Sequence, residues 1–268
     1  MKPEKKQILL TNDDGIGSPG LWAAAEALSA LGYVTVAAPR EHASATGRGF
    51  NRAADGLITL QKTTINNQEW DVYAVGGSPS QTVLHAVLEI MPTRPDLVVS
   101  GINYGANFST DVGYSGTVGA ALEAASLGFP ALASSLEIVK EEWDVFHTDI
   151  DFTVAGYFTK VFARMLLEKR MPEDVHVLNL VIPRDAVPDT PWRLTHLTRA
   201  RYYNPYVKRS GTWAEPAEIT SRMIIPPEAD EDSDIRTVLV DKLVSVTPLS
   251  LDLTSRVDFK SLNNLFRK

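Results

Sequence analysis

The chain has 268 residues, 44% of them apolar, with 33 acidic against 26 basic side chains and a formal charge of −7. That is enough apolar material for one α/β domain with an appendage or two small domains, and the acidic balance argues against a general nucleic-acid binder, whose counterion release needs a basic surface. There is no cysteine, which excludes disulfides, thiolate metal sites and thiol catalysis; the apolar run behind the N-terminal lysines is too short for a signal segment, nothing approaches a membrane span, and a soluble cytoplasmic protein is expected.

Ile8 to Leu10 reads as a short buried strand that stops at Asn12-Asp13-Asp14-Gly15, and Leu21 to Leu31 reads as a helix. The acids therefore sit at the carboxyl end of a strand, where open parallel α/β sheets bind ligands. Two adjacent carboxylates raise each other's pKa, and a hard divalent cation such as Mg²⁺ or Mn²⁺ resolves the repulsion. The plainer alternative is that Asp13 and Asp14 cap the turn and the helix. Tyr33 to Ala38, ending at Pro39, reads as a second parallel strand, giving a right-handed βαβ unit. The small polar stretch from Arg40 to Gly49 is a loop beside the first one, with Ser44 and Thr46 in reach of the acids.

Leu57 to Lys62 and Trp70 to Val75 read as a hairpin around Asn66-Asn67, and Gly76-Gly77-Ser78-Pro79 opens a helix with Ser78 as N-cap. Asp96 to Ser100 is a strand that runs into a glycine-dense stretch, Gly101 to Gly119, with a helix beginning near Thr117. Asn103 stands just past that strand as Asp13 does past the first, and its amide oxygen suits a hard cation. Glycines let backbone N–H groups approach a ligand, and Ser115 and Thr117 add hydroxyl donors. The alternative is a loop shaped only for tight helix packing. Ala131 to Ser135 and His176 to Leu180 read as strands, and Ile150 to Lys169 as a long amphipathic helix.

From Pro183 prolines recur and helical periodicity is lost. Arg193 to Leu197, Glu218 to Ile225 and Leu239 to Thr247 read as strands, Glu228 to Asp234 as a solvated acidic loop, and Asp258 to Lys268 as a terminal amphipathic helix. The division expected is a catalytic core over 1–182 and an extension over 183–268. The extension lies against the core or a partner chain, as an exchanged hairpin and tail that completes the pocket.

Gly15-x-Gly17-x-x-Gly20 also fits a dinucleotide fingerprint, with Arg40 placed for a 2′-phosphate, which would make the chain an NADP-dependent oxidoreductase. Asp13 and Asp14 argue against it, because a pyrophosphate there would meet two like charges. The five histidines show no metal-ligand spacing, and His42, in the loop facing the acids, is the one of interest. Arg199, Arg201, Tyr202, Tyr203 and Tyr206 form a basic and aromatic cluster suited to a phosphate, a base or a packed surface.

Thr11-Asn12-Asp13-Asp14-Gly15, Ser44-Ala45-Thr46-Gly47, Ser100-Gly101-Ile102-Asn103-Tyr104-Gly105-Ala106-Asn107, Ser115-Gly116-Thr117-Val118 and Val244-Ser245-Val246-Thr247-Pro248-Leu249, in this order, resemble the survival protein SurE family of nucleotidases. The resemblance runs from Ile8 to about Thr254 and is weaker from Arg48 to Asp71 and from Arg209 to Asp234. It implies a Rossmann-like core, a mostly parallel sheet flanked by helices, and homodimers or homotetramers built by exchanging C-terminal elements. It implies a 5′/3′-nucleotidase acting on nucleoside monophosphates, with some members also degrading short polyphosphate. It implies one Mg²⁺ or Mn²⁺ per subunit, held by Asp13, Asp14, Ser44 and Asn103. On this reading Asp13, or else Asp14, takes the proton of the attacking water; direct attack by Asp13 is the alternative. Asn12, Gly105, Asn107, Ser115, Gly116 and Thr117 hold the substrate phosphate. A non-catalytic nucleotide-binding module is the remaining reading, and neither polymeric nucleic acid nor membrane is expected as a partner.

Overall fold

Alternation along one strand decides the layering. In β1 (Lys6–Thr11), Ile8 and Leu10 join the apolar cluster of one face while Leu9 joins that of the other, so the strand is buried on both sides, as parallel strands are. On the first face lie α1 (Pro19–Ser29) and α4 (Thr153–Glu168); on the second lie α2 (Pro79–His85), which runs on into a wider turn over Ala86–Ile90, and α3 (Gly116–Ser126). The computed structural model describes residues 5–65, 67–138, 150–227 and 229–267, so Asn66, His147, Glu228 and Lys268 lie outside the described residues.

Among the described residues nine strands form one sheet, in the order β3 (Ile58–Ile65), β4 (Gln68–Val75), β2 (Gly32–Pro39), β1, β5 (Leu97–Tyr104), β6 (Ala131–Leu136), β7 (Val177–Ile182), β11 (Val244–Leu249) and β8 (Trp192–Leu194). The six from β4 to β7 run parallel; β3 is antiparallel to β4 and β11 to β7. Connections leave β1 toward β2 on one side and return to β5 on the other, so the order reverses between β1 and β5. A crevice opens at such a reversal, outside the carboxyl ends of the strands.

The α2 start behaves as its residues dictate. Ser78 Oγ accepts from Gln81 N–H, the Gln81 amide oxygen accepts from Ser78 N–H, and Pro79 takes the first helical position. Asp13 and Asp14, by contrast, cap nothing at α1, whose N-cap is Ser18. A Cβ at Gly20 would meet Ile102 O at 2.1 Å, so this glycine serves the approach of α1 to β5.

Residues beyond Ile182 return to the same sheet as β8 and β11 and also form a separate antiparallel hairpin, β9 (Tyr203–Lys208) with β10 (Glu218–Met223). The strand expected from Leu239 begins later. Ser233 caps a short helix, α5 (Asp234–Leu239), and Lys242 turns the chain at φ 56° before β11 starts at Val244. Asp234 is fully buried rather than solvated: its carboxylate accepts from Ser109 N–H, from Thr198 N–H and Oγ1, and from Ile235 N–H. Ile235 and Val238 pack with Ala106, Phe108, Val181 and Tyr202 in a third apolar cluster. The terminal helix α6 (Phe259–Phe266) buries none of its residues. Among the described residues no helix is long and apolar enough to cross a membrane.

Candidate active site

The crevice at the β1/β5 reversal opens into a cavity of about 670 Å³. Asp13, Asp14, His42, Ser44 and Asn103 line its floor, with Tyr104, Asn107, Phe108 and Ser115 beside them. Arg201, Tyr203, Pro205 and Ile219 to Ser221, from the C-terminal hairpin region, form the far wall. The fold thus brings together all four predicted cation ligands and three of the six predicted phosphate contacts, Gly105, Asn107 and Ser115, in one cavity.

Asp13 is 3% and Asp14 7% exposed. Thr117 Oγ1 donates to Asp13 Oδ1 at 2.6 Å, and Tyr104 N–H donates to Asp14 Oδ2 at 3.1 Å. Burial pushes both carboxyls above the ordinary range. The hydrogen bonds from Thr117 oppose that rise at Asp13, whereas the neighbouring Asp13 charge adds to it at Asp14, which is pushed up to about 8. Burial and mutual repulsion thus favour one proton shared by the pair over two bare carboxylates, and a cation would compete with that proton. His42, in the loop expected to face the acids, brings Nε2 to 3.6 Å from Asp14 Oδ1 and 2.5 Å from Ser44 Oγ.

Three predicted contacts stand one layer behind the cavity surface. The Asn12 amide is fully buried and locks the turn, accepting from Gly15 N–H at 3.2 Å and donating to Gly15 O at 3.0 Å. The Thr117 hydroxyl is used by Asp13. Gly116 is a close-approach residue, because a Cβ there would stand 2.7 Å from Asp13 Cβ. The Gly105 N–H, expected to face phosphate, donates instead to Leu136 O at 3.1 Å. Thr46 turns its hydroxyl back to Ala43 O.

Ser115 and Asn107 do face the cavity. Ser115 Oγ caps α3 by accepting from Val118 N–H at 3.0 Å and retains its own proton to donate. Asn107 Nδ2 is buried with no hydrogen-bond partner among the described residues. A buried donor left unpaired calls for an acceptor from a ligand or water.

Sequence reasoning expected a C-terminal hairpin at the pocket but singled out neither Phe108 and Asp111 nor, in the hairpin, Pro205 and Ile219 to Ser221. Asp111 Oδ2 accepts from the N–H groups of both Tyr202 and Tyr203 at 3.0 Å and so ties the wall to the loop before α3. The arginine and tyrosine cluster divides. Arg201 stacks over Tyr114 at 5.5 Å and donates to its hydroxyl at 2.9 Å. Tyr202 packs edge-on against Phe108, and burial pushes its phenol up to about 12. Tyr203 donates to Ala106 O at 3.0 Å, and burial raises its pKa too. Tyr206 lies under Arg222.

A hard cation fits the floor. Among the described residues no group of three or more His, Cys, Asp or Glu side chains is placed to hold a metal, so its ligands would be the two carboxylates completed by neutral oxygens. Ser44 Oγ and Asn103 Oδ1 are of that kind, Asn103 Nδ2 being fixed on Gly105 O at 2.7 Å. A dinucleotide fits poorly, since Arg40 is held by Asp55 at 3.1 Å.

Fold and site together define an α/β protein with an acid-floored ligand crevice at its topological switch point. A model of the family described as Survival protein SurE matches residues 8–204. The protein named 5'-nucleotidase SurE from Methanosarcina mazei is 38% identical over 262 residues, covering 96% of each chain. That of Methanocella arvoryzae is 40% identical over 261 residues, covering 93% of each. The crystal structure of the SurE protein from Aquifex aeolicus matches with a TM-score of 0.74 at 32% identity, over 97% of this chain and 99% of that one. The chain belongs to the SurE family.

Proposed function

We propose that the chain is a 5′/3′-nucleotidase, a phosphoric monoester hydrolase that releases phosphate from nucleoside monophosphates with the help of one Mg²⁺ or Mn²⁺ per subunit. The observation that carries this reading is the single cavity that joins a buried acid pair to an aromatic and basic wall, Tyr104, Tyr114, Arg201 and Tyr203. Free phosphate would need only the floor. A nucleotide would use both ends, phosphate at the acids and base toward the stacked Arg201 and Tyr114. The names of the relatives support the same activity.

Asp13, Asp14, Ser44 and Asn103 would hold the cation. When bound, it supplies positive charge that polarises a phosphoryl oxygen and makes water more acidic. Asp13, oriented by Thr117, accepts the proton of the attacking water; Asp14 is its alternate. Ser115 Oγ–H and the unpaired Asn107 Nδ2 donate to the phosphoryl oxygens and stabilise the charge that develops on them. The segment from 183 onward completes the pocket through its hairpin and serves self-association, as a homodimer or homotetramer with exchanged C-terminal elements, in the cytoplasm.

The test is a phosphate-release screen over nucleoside 5′- and 3′-monophosphates and short polyphosphate, with Mg²⁺, Mn²⁺ or EDTA. Release from monophosphates that EDTA abolishes, and that Asp13→Asn lowers by orders of magnitude with the fold intact, supports the proposal. No release with any divalent cation would leave a nucleotide-binding module, and full activity in Asp13→Asn would remove Asp13 from the chemistry. The stereochemical course at phosphorus distinguishes direct water attack, one displacement with inversion, from attack by Asp13 and then water, two displacements with net retention.

A further inference from the structure

Ser44 stands on an exposed loop, with its hydroxyl against His42 Nε2 and the backbone held on either side. At the front, Ala43 N–H donates to Asp13 O at 2.7 Å. The chain then turns through Ala45 at φ 59° and Gly47 at φ 54°. At the rear, Gly47 N–H donates to Tyr114 O at 2.9 Å, and Gly47 O lies so close to α3 that a Cβ at Gly119 would come within 2.2 Å of it. The next residue, Arg48, places Nε 2.6 Å from Glu123 Oε2 and Nη2 2.8 Å from Ser126 Oγ. Glu123 projects from the middle of α3 and is 6% exposed.

A buried carboxylate is tolerated when a cation with matching donors meets it, and a guanidinium does so with fixed direction. Arg48 therefore registers the loop on α3 along two bonds. Helix α3 also carries Thr117, which orients Asp13. One helix thus sets the positions of two groups that come from different strand ends.

We infer that Arg48 and Glu123 are positioning residues for Ser44: their ion pair pins the loop to α3 and holds the serine hydroxyl where it completes the cation site with Asp13. The inference rests on the proposed cation site. Arg48 lies outside the stretches that carry the family likeness most strongly, and nothing about its position in the sequence marks it as part of the site.

The test is Mn²⁺ titration of the metal-free full-length protein, followed by electron paramagnetic resonance, for wild type, Arg48→Met, Ser44→Ala and the double variant. Arg48→Met should weaken Mn²⁺ binding about tenfold, as loss of an outer-shell partner does. The double variant should bind no more weakly than Ser44→Ala alone, because Arg48 acts through Ser44. Glu123→Gln, which keeps the shape of α3, should weaken binding in the same direction and guards against a folding defect in Arg48→Met. Melting of each variant in chelator separates the roles, since a merely structural pair lowers the midpoint and leaves the Mn²⁺ affinity of the folded protein unchanged. Unchanged affinity in Arg48→Met and Glu123→Gln, or fully additive losses, overturns the inference while the cation site stands. Wild type that binds no Mn²⁺, or Ser44→Ala that binds as wild type, overturns the cation site as drawn and the inference with it.

Discussion

The Thr117 hydroxyl donates to Asp13 Oδ1 at 2.6 Å across 104 residues of chain. This bond fixes the orientation of an acid that burial otherwise drives toward its neutral form. Thr117→Val keeps the volume and removes the donor. A hydrogen bond to a charged group contributes about 1.5–3 kcal/mol, so kcat should fall between about tenfold and a hundredfold. Thr117→Ser should stay near wild type. Steady-state kinetics of the two variants side by side check this.

Gly116→Ala should damage the same acid by sterics alone. Its Cβ would stand 2.7 Å from Asp13 Cβ and 2.8 Å from Asp13 Oδ2, so either α3 or the carboxylate must shift. Overpacking of this kind costs about 1–3 kcal/mol of stability, and activity should be mostly lost in the folded fraction. Gly113→Ala, where a Cβ meets nothing within 4 Å, is the control and should melt and turn over as wild type. Thermal melts with kcat on the same preparations decide it.

The acid pair makes the metal-free protein sensitive to pH. Asp14 is pushed up to about 8 from an ordinary 3.8, and Asp13 moves in the same direction. A carboxyl with a raised folded-state pKa binds its proton more tightly folded than unfolded, so its contribution is complete below about pH 4 and is lost as pH rises through 8. In EDTA the melting temperature should therefore fall from pH 5 to pH 8.5, and Asp14→Asn should flatten that slope. Mn²⁺ should raise the midpoint more at pH 8 than at pH 5.5, because the cation must displace the proton. Matching slopes in wild type and Asp14→Asn would contradict this account.

The far wall should govern affinity rather than turnover. Arg201 stacks on Tyr114 at 5.5 Å, a contact worth about 1 kcal/mol. Arg201→Met should raise KM for nucleoside monophosphates about threefold to tenfold and leave kcat near wild type. An equal fall in kcat would place Arg201 with the reacting phosphate instead.

The sequence shows the parts of the site that have local chemistry. Ile8 to Leu10 followed by Asp13 and Asp14 reveals a buried strand and what stands at its tip, because apolar runs and paired acids are unambiguous over a few residues. Ser78-Pro79 is equally plain as a helix start. The parts that depend on distant partners stay hidden. Asp234 looks like one more member of a solvated acidic run, yet it is buried by donors from Ser109 and Thr198, which no local pattern reveals. Asp111 carries no local signal, and its role comes from the backbone of Tyr202 and Tyr203. Asn12 and Thr117 lie among the motif residues, but their bonds to Gly15 and Asp13 come from the fold and not from the motif.

Strand β8 has its sheet neighbour in β11, which pairs with β7 on its other side. During synthesis, then, Trp192 to Leu194 emerge from the ribosome well before the strand they need. The acids, the Ser44 loop and α3 are complete by Ser126, while this edge of the sheet waits for Val244 to Leu249. A nascent chain stopped between those points would carry the acid floor with that edge of the sheet unfinished, and the sheet would close only once Val244 to Leu249 are made.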